Sequence, residues 1–402
     1  MKYSVILTDG AADYPVPQLD GKTPFEVAKK PVTDGLAKKS ELGMLHVTPD
    51  GCKGGSEIGN LCVMGYDPRV YLTGRSPLEA RSLGIEMSET DLALRCNLVT
   101  LSPDGAYEEK TMVDNTASEI STEDAKALME DIQKEFGSEL MTFYAGISYK
   151  HCLIMHDATD KMSFTPPHNI IGKQITEYLP KGDYSDLLLD IQKRSFDFLS
   201  NHPVNAARTA KGLNPANSLW LWGQGRRMSL PSFESVHGIT GAAVTAVDLI
   251  KGIALCADMK CVDVEGATGN LHSNFKGKAD ASIEWFKKGV DLVYTHLEAP
   301  DECGHQGDVE GKVRSIEIID SQIVKPIYDY LVSTGEDFRI LITPDHPTPL
   351  TTRGHASDDV PYMIYRSDRE TAGRDCFCER VCATTGNFID DGFHAIGRMM
   401  NN

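Results

Sequence analysis

Short apolar runs that end in an acid or an imidazole recur along this chain. Tyr3-Ser4-Val5-Ile6-Leu7-Thr8 runs into Asp9-Gly10, and Leu292-Val293-Tyr294 precedes Asp301 and His305. Ile340-Leu341-Ile342-Thr343 leads to Asp345-His346, with Gly354-His355 shortly after. Brief apolar runs bounded by turn residues predict buried strands. A strand that hands a polar side chain to its C-terminal edge places it where open α/β sheets build their sites. The middle of the chain reads differently. Asp91 to Thr100 alternates apolar and polar, which predicts a strand, while Ser121 to Glu135 and Tyr184 to Leu199 carry helical amphipathic spacing. None of the Asp/His set falls in that middle stretch. The pattern predicts an α/β protein in which residues 1–75 and 237–402 form one discontinuous metal-binding domain and residues 76–236 an inserted second α/β domain. Gly74 to Pro77 and Gly223 to Phe233 are the expected hinges. No internal repeat or low-complexity segment interrupts the chain.

Carboxylate oxygen together with imidazole nitrogen suits Mn²⁺ or Zn²⁺ better than Ca²⁺, which prefers oxygen alone. A second motif supplies a reacting group. In Gly54-Gly55-Ser56-Glu57-Ile58-Gly59-Asn60 the glycines let the backbone approach a ligand, and Ser56 sits where an apolar helix begins. A helix N-terminus presents free N–H groups and positive dipole to an anion such as phosphate. A serine hydroxyl is a poor nucleophile at neutral pH unless a base or metal lowers its pKa. Asp9, Asp345 and His346 are available to hold such a metal. Plainer readings exist for each: Asp-Gly as a turn, Ser56 as an N-cap, and Asp301 with His305 as an i, i+4 helical pair.

In combination and in this order, the motifs carry more. Thr8-Asp9-Gly10, Gly55-Ser56-Glu57 with Asn60, Gly74-Arg75-Ser76-Pro77-Leu78-Glu79-Ala80, Ala299-Pro300-Asp301 through His305, Thr343-Pro344-Asp345-His346-Pro347-Thr348-Pro349 and His355 span essentially the whole chain. Together they resemble the cofactor-independent (2,3-bisphosphoglycerate-independent) phosphoglycerate mutases, archaeal-type branch, of the alkaline phosphatase superfamily. The resemblance implies an alkaline-phosphatase-like, mainly parallel sheet flanked by helices, with an inserted domain and a site in the cleft between the two. It implies Ser56 as the nucleophile that carries a phosphoryl group. Asp9, Ser56, Asp345 and His346 would surround one divalent ion, and Asp301, His305 and His355 a second. Mn²⁺ is the first expectation, with Zn²⁺ or Mg²⁺ as alternatives. Asn60, on the Ser56 face of the helix, would hydrogen-bond the phosphate, and Lys251 resembles the family's phosphate-contacting lysine. The reaction implied is the interconversion of 2- and 3-phosphoglycerate.

One departure matters. Moving phosphate between two hydroxyls of an acid requires a grip on the carboxylate, for which arginine forks are suited. Archaeal members carry arginines where this chain reads Met112-Val113-Asp114-Asn115-Thr116-Ala117-Ser118-Glu119-Ile120, which has none. The basic candidates left in the insert are Arg95, Lys150, His151, His168, Arg208, Arg226 and Arg227, of which Arg95, His168 and Arg208 are taken as substrate-binding. The altered segment also occurs in some bacterial relatives linked to a homoserine kinase activity, so a kinase-like phosphotransferase of threonine biosynthesis is the alternative. No Walker-type loop is present to support an ordinary nucleotide fold. A non-catalytic metal-binding protein is a third reading, opposed by the intact nucleophile and ligand set.

Composition narrows the partners. The 402-residue chain carries a net charge of -18 and no Lys/Arg-rich run, which argues against nucleic acid and for a small phosphorylated substrate. Its apolar runs are far short of a bilayer span, and Met1-Lys2-Tyr3-Ser4 leads directly into a strand without a signal peptide, so the expectation is cytoplasmic and not membrane-bound. Oligomeric state is left open. Ten cysteines fit a reducing compartment; Cys62, Cys152 and Cys256 lie in apolar surroundings as small hydrophobes, and Cys303 reads as filler within the metal motif. Cys376-Phe377-Cys378 with Cys382 suggests a zinc knuckle, but no second pair of matching spacing follows.

Overall fold

The computed structural model describes residues 1–401. The chain forms two compact units: Met1–Leu72 together with the stretch from Ser229 onward, and Thr73–Met228.

The discontinuous unit is built on eight strands: β1 (Lys2–Thr8), β2 (Ser40–Leu45), β3 (Gly241–Val244), β4 (Lys260–Val262), β5 (Leu292–Leu297), β6 (Phe338–Thr343), β7 (Val360–Arg366) and β8 (Phe388–Ile389). Their order is β4-β3-β5-β1-β6-β7-β2-β8. The first five are parallel, β7 is antiparallel to both β6 and β2, and β8 is parallel to β2. Every residue of β5 and β6 is buried, as expected for parallel strands covered on both faces. The apolar cover comes from helices. Ile6, Val293, Ile340 and Ile342 share a core with Phe275, Ala279 and Phe286 of helix Phe275–Lys287 and with Ile316 and Ile319 of helix Val309–Ile319. Each such isoleucine or phenylalanine contributes about 1.5–3 kcal/mol by leaving water. The register sets the site. Thr8 lies opposite Leu297 and Leu7 opposite both His296 and Thr343, so three strands end at one sheet edge.

The Thr73–Met228 unit mixes helices with a wholly antiparallel sheet. Its central strand Leu92–Leu101 pairs with Lys150–Met155, Ser218–Arg226 and the short Met112–Asp114, and Met141–Tyr144 extends the far side. Alternation along the central strand assigns its faces. Leu92, Leu94, Cys96 and Leu98 pack with Leu128 and Ile132 of helix Thr122–Phe136 and with Leu188 and Ile191 of helix Ser185–Ser200. Ala93 belongs to a smaller cluster with Ala80, Ile85, Cys152 and Ile154. Ser121 caps its helix by accepting the Asp124 amide at 3.1 Å. The expected hinge from Gly223 begins instead inside a strand, which runs to Arg226. A Cβ at Gly225 would stand 2.8 Å from the Pro77 ring and 2.9 Å from the Thr73 carbonyl, so that glycine serves a close backbone packing.

Candidate active site

The edge where β1, β5 and β6 end collects the acid and imidazole groups. Asp9 follows β1, and its amide donates to the Leu297 carbonyl at 2.9 Å, which continues the β1–β5 ladder by one residue. Gly10 then turns with φ 61°, and a Cβ there would lie 2.7 Å from the Asp301 Cα. Only glycine allows both. The Gly10 amide donates to Asp345 Oδ1 at 3.1 Å. Asp345 and His346 follow β6. Asp301 and His305 share one face of the helix α2 (Ala299–Gln306), and Ser56 is the first residue of α1 (Ser56–Val63).

Two groups of three ligand atoms result, Asp9/Asp345/His346 and Asp301/His346/His355, each with its atoms within 4.8 Å of one another. His346 belongs to both. Its Nε2 lies 3.4 Å from Asp9 Oδ1, 3.4 Å from Asp345 Oδ2 and 3.1 Å from Ser56 Oγ. His305 Nε2 is 3.2 Å from Asp301 Oδ2 and 3.0 Å from His355 Nε2. The seven residues expected to hold metal thus lie around one centre.

Electrostatics bear on what this centre holds. Burial raises the Asp9 carboxyl well above its usual range, and Asp345, Asp301 and Glu298 push it further. Burial also lowers the His346 imidazole, which stays neutral. Burial works to raise Asp301, yet hydrogen bonds from His305 and His355 hold it below the ordinary carboxylate value. His305 is correspondingly raised to about 9 by its bond to Asp301. Three observations fit divalent cations here. Asp9 Oδ1 is buried with no hydrogen-bond partner. Carboxylates converge with too little positive charge to balance them, a costly arrangement without a cation. The two imidazole Nε2 atoms at 3.0 Å face each other with lone pairs that require a proton or an ion between them. Mixed oxygen and nitrogen donors suit Mn²⁺ or Zn²⁺.

Several supporting residues were not evident from sequence. Buried His296 sits on β5 opposite Leu7, with Nε2 2.8 Å from Asp9 Oδ2 and Nδ1 3.2 Å from Thr245 Oγ1. Burial, with the nearby Lys278 charge, keeps its imidazole neutral, so Nε2–H donates to Asp9. Lys278 in turn donates to the His296 carbonyl at 3.2 Å, and burial lowers its ammonium to about 8. The Thr348 hydroxyl donates to Asp301 Oδ1 and lies 3.2 Å from His346 Nδ1. Since its proton goes to Asp301, it accepts from His346 Nδ1–H, which leaves Nε2 unprotonated and facing Ser56. Buried Lys312 braces this residue by donating to the Thr348 carbonyl at 2.8 Å and to Asp13 Oδ2 at 2.7 Å. A polar residue inside an apolar strand was the available signal for His296; Thr348 gave none.

The substrate-binding candidates separate. Asn60 donates to Asp345 Oδ2 at 2.7 Å and to the Ser56 carbonyl at 2.9 Å, and accepts the Tyr294 hydroxyl at 2.7 Å. Both its N–H groups are occupied, so it positions Asp345 instead of reaching a phosphate. Arg208 is also corrected: it is 3% exposed, and its guanidinium serves the carbonyls of Ala117 and Asn214 and the Asp124 carboxylate. It braces a turn in which Ala117, Ser118 and Glu119 all have positive φ. Lys251 is tied to Asp263 at 2.6 Å. Arg95 pairs with Glu79 at 2.8 Å and lies 4.3 Å from the Trp222 ring, against which His168 packs edge-on at 5.4 Å. Burial, with the charges of Arg95 and Arg75, lowers the His168 imidazole.

Comparison with known proteins places the chain in a family. Residues 37–205 match the family model described as 2,3-bisphosphoglycerate-independent phosphoglycerate mutase. A protein of that name from Methanosarcina barkeri is 45% identical over 370 residues, covering 92% of this chain and 91% of its own. Another from Methanothrix thermoacetophila is 43% identical over 388 residues, 96% of each chain. Among solved structures, a Pyrococcus horikoshii protein superposes with a TM-score of 0.83 at 28% identity, covering 99% of this chain and 96% of its own. The fold and site are those of a metal-dependent phosphotransferase/isomerase, an enzyme that depends on divalent metal. The chain belongs to the family of 2,3-bisphosphoglycerate-independent phosphoglycerate mutases. The kinase alternative finds no support among these relatives. No helix among the described residues is long and apolar enough to cross a membrane.

Proposed function

We propose that this protein interconverts 2- and 3-phosphoglycerate, a glycolytic step, by passing the phosphoryl group through Ser56. The observation that carries the reading is Ser56 Oγ at 3.1 Å from His346 Nε2, at the first turn of a helix and beside the Asp9/Asp345 carboxylates. Gly55 offers no side-chain cap, so the Ser56 and Glu57 amides of the first turn are available to an anion, while the Ile58 amide donates to the Gly55 carbonyl at 3.0 Å. We assign Asp9, Ser56, Asp345 and His346 to one ion and Asp301, His305 and His355 to the other, with Mn²⁺ first and Zn²⁺ or Mg²⁺ next. When bound, two divalent ions make a hydroxyl more nucleophilic and neutralise phosphoryl oxygens.

Ser56 loses its hydroxyl proton and Oγ forms the new P–O bond in line as the bond from phosphorus to the C3 oxygen of 3-phosphoglycerate breaks, and that oxygen takes up a proton in turn. The glycerate 2-hydroxyl then attacks phosphoserine, loses its proton and returns Ser56 to its starting state. The chain's part is positional. Asn60, with its amide locked, holds Asp345, while His296 holds Asp9. For the substrate carboxylate we assign Arg95 and His168, the insert serving as the substrate-binding domain of residues 76–236. A cytoplasmic address is supported by ten free cysteines.

The test is an assay of metal-loaded protein with 3-phosphoglycerate alone and, separately, with homoserine plus ATP. Ser56→Ala should remove mutase turnover, and label from phosphoglycerate should map to Ser56. Turnover only in the second assay, or label on another residue, would discard the reading.

A further inference from the structure

The segment Cys376-Phe377-Cys378 plays no part in the centre above. It forms no three-residue ligand group either: among the described residues, only the two Asp/His groups do so. Its surroundings are nonetheless specific. Lys30, 2% exposed, brings Nζ to 3.5 Å from Cys376 Sγ and to 3.0 Å from the Asp34 carboxylate. Asp34 also accepts the Phe377 amide at 3.0 Å. The Phe377 ring is fully buried against Phe25 at 5.3 Å. The middle residue is therefore anchored through both backbone and side chain, with a cysteine on either side. Cys378 is extended (φ -160°, ψ 166°) and buried, whereas Cys376 is part-exposed. Two residues apart, the Cα atoms of Cys376 and Cys378 are at most about 7 Å from one another, so the two thiols are close neighbours along the chain.

The two thiols are chemically unequal. The hydrogen bond from the Cys378 thiol, helped by the Lys30 charge, overcomes burial and brings Cys376 down to about 7. Cys378, as the donor, is pushed up. Elsewhere burial outweighs nearby lysines, raising Cys261 to about 11 and Cys303 to about 12. A thiolate beside a cation, with a second thiol in reach, is the arrangement of an attacking and a resolving cysteine.

We propose that Cys376 and Cys378 form a dithiol that reduces hydroperoxides, Cys376 attacking and Cys378 resolving. The Cys376 thiolate attacks one peroxide oxygen; the O–O bond breaks, and the alcohol or water leaves with a solvent proton. Cys376 becomes a sulfenic acid. The Cys378 sulfur then attacks the Cys376 sulfur, the S–O bond breaks, and water departs with the thiol proton. One hydroperoxide is reduced by two electrons and one disulfide is formed. Two residues span at most about 7 Å, around the upper limit of disulfide Cα separations, so the bond closes under constraint and is easily reduced again.

The chain offers a clean readout: cleavage after Arg374 and Arg380 releases a peptide with Cys376 and Cys378 and no third cysteine. Treating full-length protein with one equivalent of hydrogen peroxide should remove two hydrogens from that peptide, and a thiol reductant should restore them. In Cys378→Ser a dimedone adduct should appear on Cys376. Lys30→Met should slow the reaction at least about fivefold, while Lys30→Arg, which retains the charge, should stay near the parent rate. Melting curves of both Lys30 variants establish that they fold, and the Cys378→Ser arm does not depend on them. First oxidation at Cys52, Cys256 or Cys261, absence of the adduct in Cys378→Ser, or an unchanged rate in folded Lys30→Met would overturn the proposal.

Discussion

Asp9, Asp345 and His346 are each no more than 1% exposed, whereas the side chain of His305 is 37% exposed and that of His355 26%. The buried side is fixed by side chains behind it: His296 on Asp9, and Asn60 and the Gly10 amide on Asp345. On the exposed side Asp301 has the Thr348 hydroxyl behind it, but His305 Nδ1 faces only a backbone group, the Arg353 carbonyl at 2.9 Å. An ion on the first side meets ligands already locked in rotamer and tautomer. On the second it must displace water and, at neutral pH, a proton from His305. The difference predicts a tight, slowly exchanging ion and a weaker, exchangeable one.

The largest expected effect comes from the buried side. Asp345→Ala should remove its ion and lower turnover more than about 100-fold, beyond the range of outer-shell changes. Metal counting after gel filtration with kinetics checks this, and retention of both ions would break the comparison. Thr348→Val should come next. The hydroxyl touches Asp301, assigned to one ion, and His346, assigned to the other, so its loss should weaken both ions by about 10–100-fold, with Thr348→Ser restoring them. Calorimetric titration of metal-free protein with Mn²⁺ decides the point, since a merely structural role would not distinguish valine from serine. His305→Ala should cost only the exchangeable ion, halving the stoichiometry while the tight site is kept.

The smallest effect sharpens the contrast through pH. His305 is protonated below about 9 in the metal-free protein, and an ion must displace that proton. Affinity at the exposed side should therefore rise with pH, by up to about tenfold per unit, until pH reaches about 9. His346 is lowered below its ordinary value and is neutral across this range, so the imidazole of the buried side adds no such dependence and only its raised Asp9 carboxyl contributes one. Titrations at pH 7 and 9 that shift both sites equally would refute the distinction.

Asp9, Asp345 and His346 were legible because each closes an apolar run, and Ser56 because two glycines precede it at a helix start. Their convergence was legible only through the order of motifs. His296 and Thr348 escaped because their contacts depend on cross-strand register and on a loop returning to α2, neither of which leaves a local pattern. Arg208 misled for the opposite reason. An arginine on a polar helix face resembles a free cation in sequence, yet the distant Ala117 carbonyl and Asp124 carboxylate, with the nearby Asn214 carbonyl, absorb its guanidinium. The parallel sheet was legible from its apolar runs; the antiparallel pairing of the Thr73–Met228 unit depended on partners that alternation alone does not name.

β1 has a further consequence for how the molecule is made. Its two neighbours, β5 and β6, begin at Leu292 and Phe338, so the first strand synthesised waits for most of the chain before it is paired on either side. At ribosomal rates of roughly 5–20 residues per second, that wait is on the order of tens of seconds. Through it the Thr73–Met228 unit, contiguous in sequence, has every partner of its sheet in hand while β1 has none. Nascent-chain order thus inverts spatial order, and the proposed metal ligands Asp9 and Ser56, emerging among the earliest residues, meet their site partners among the last.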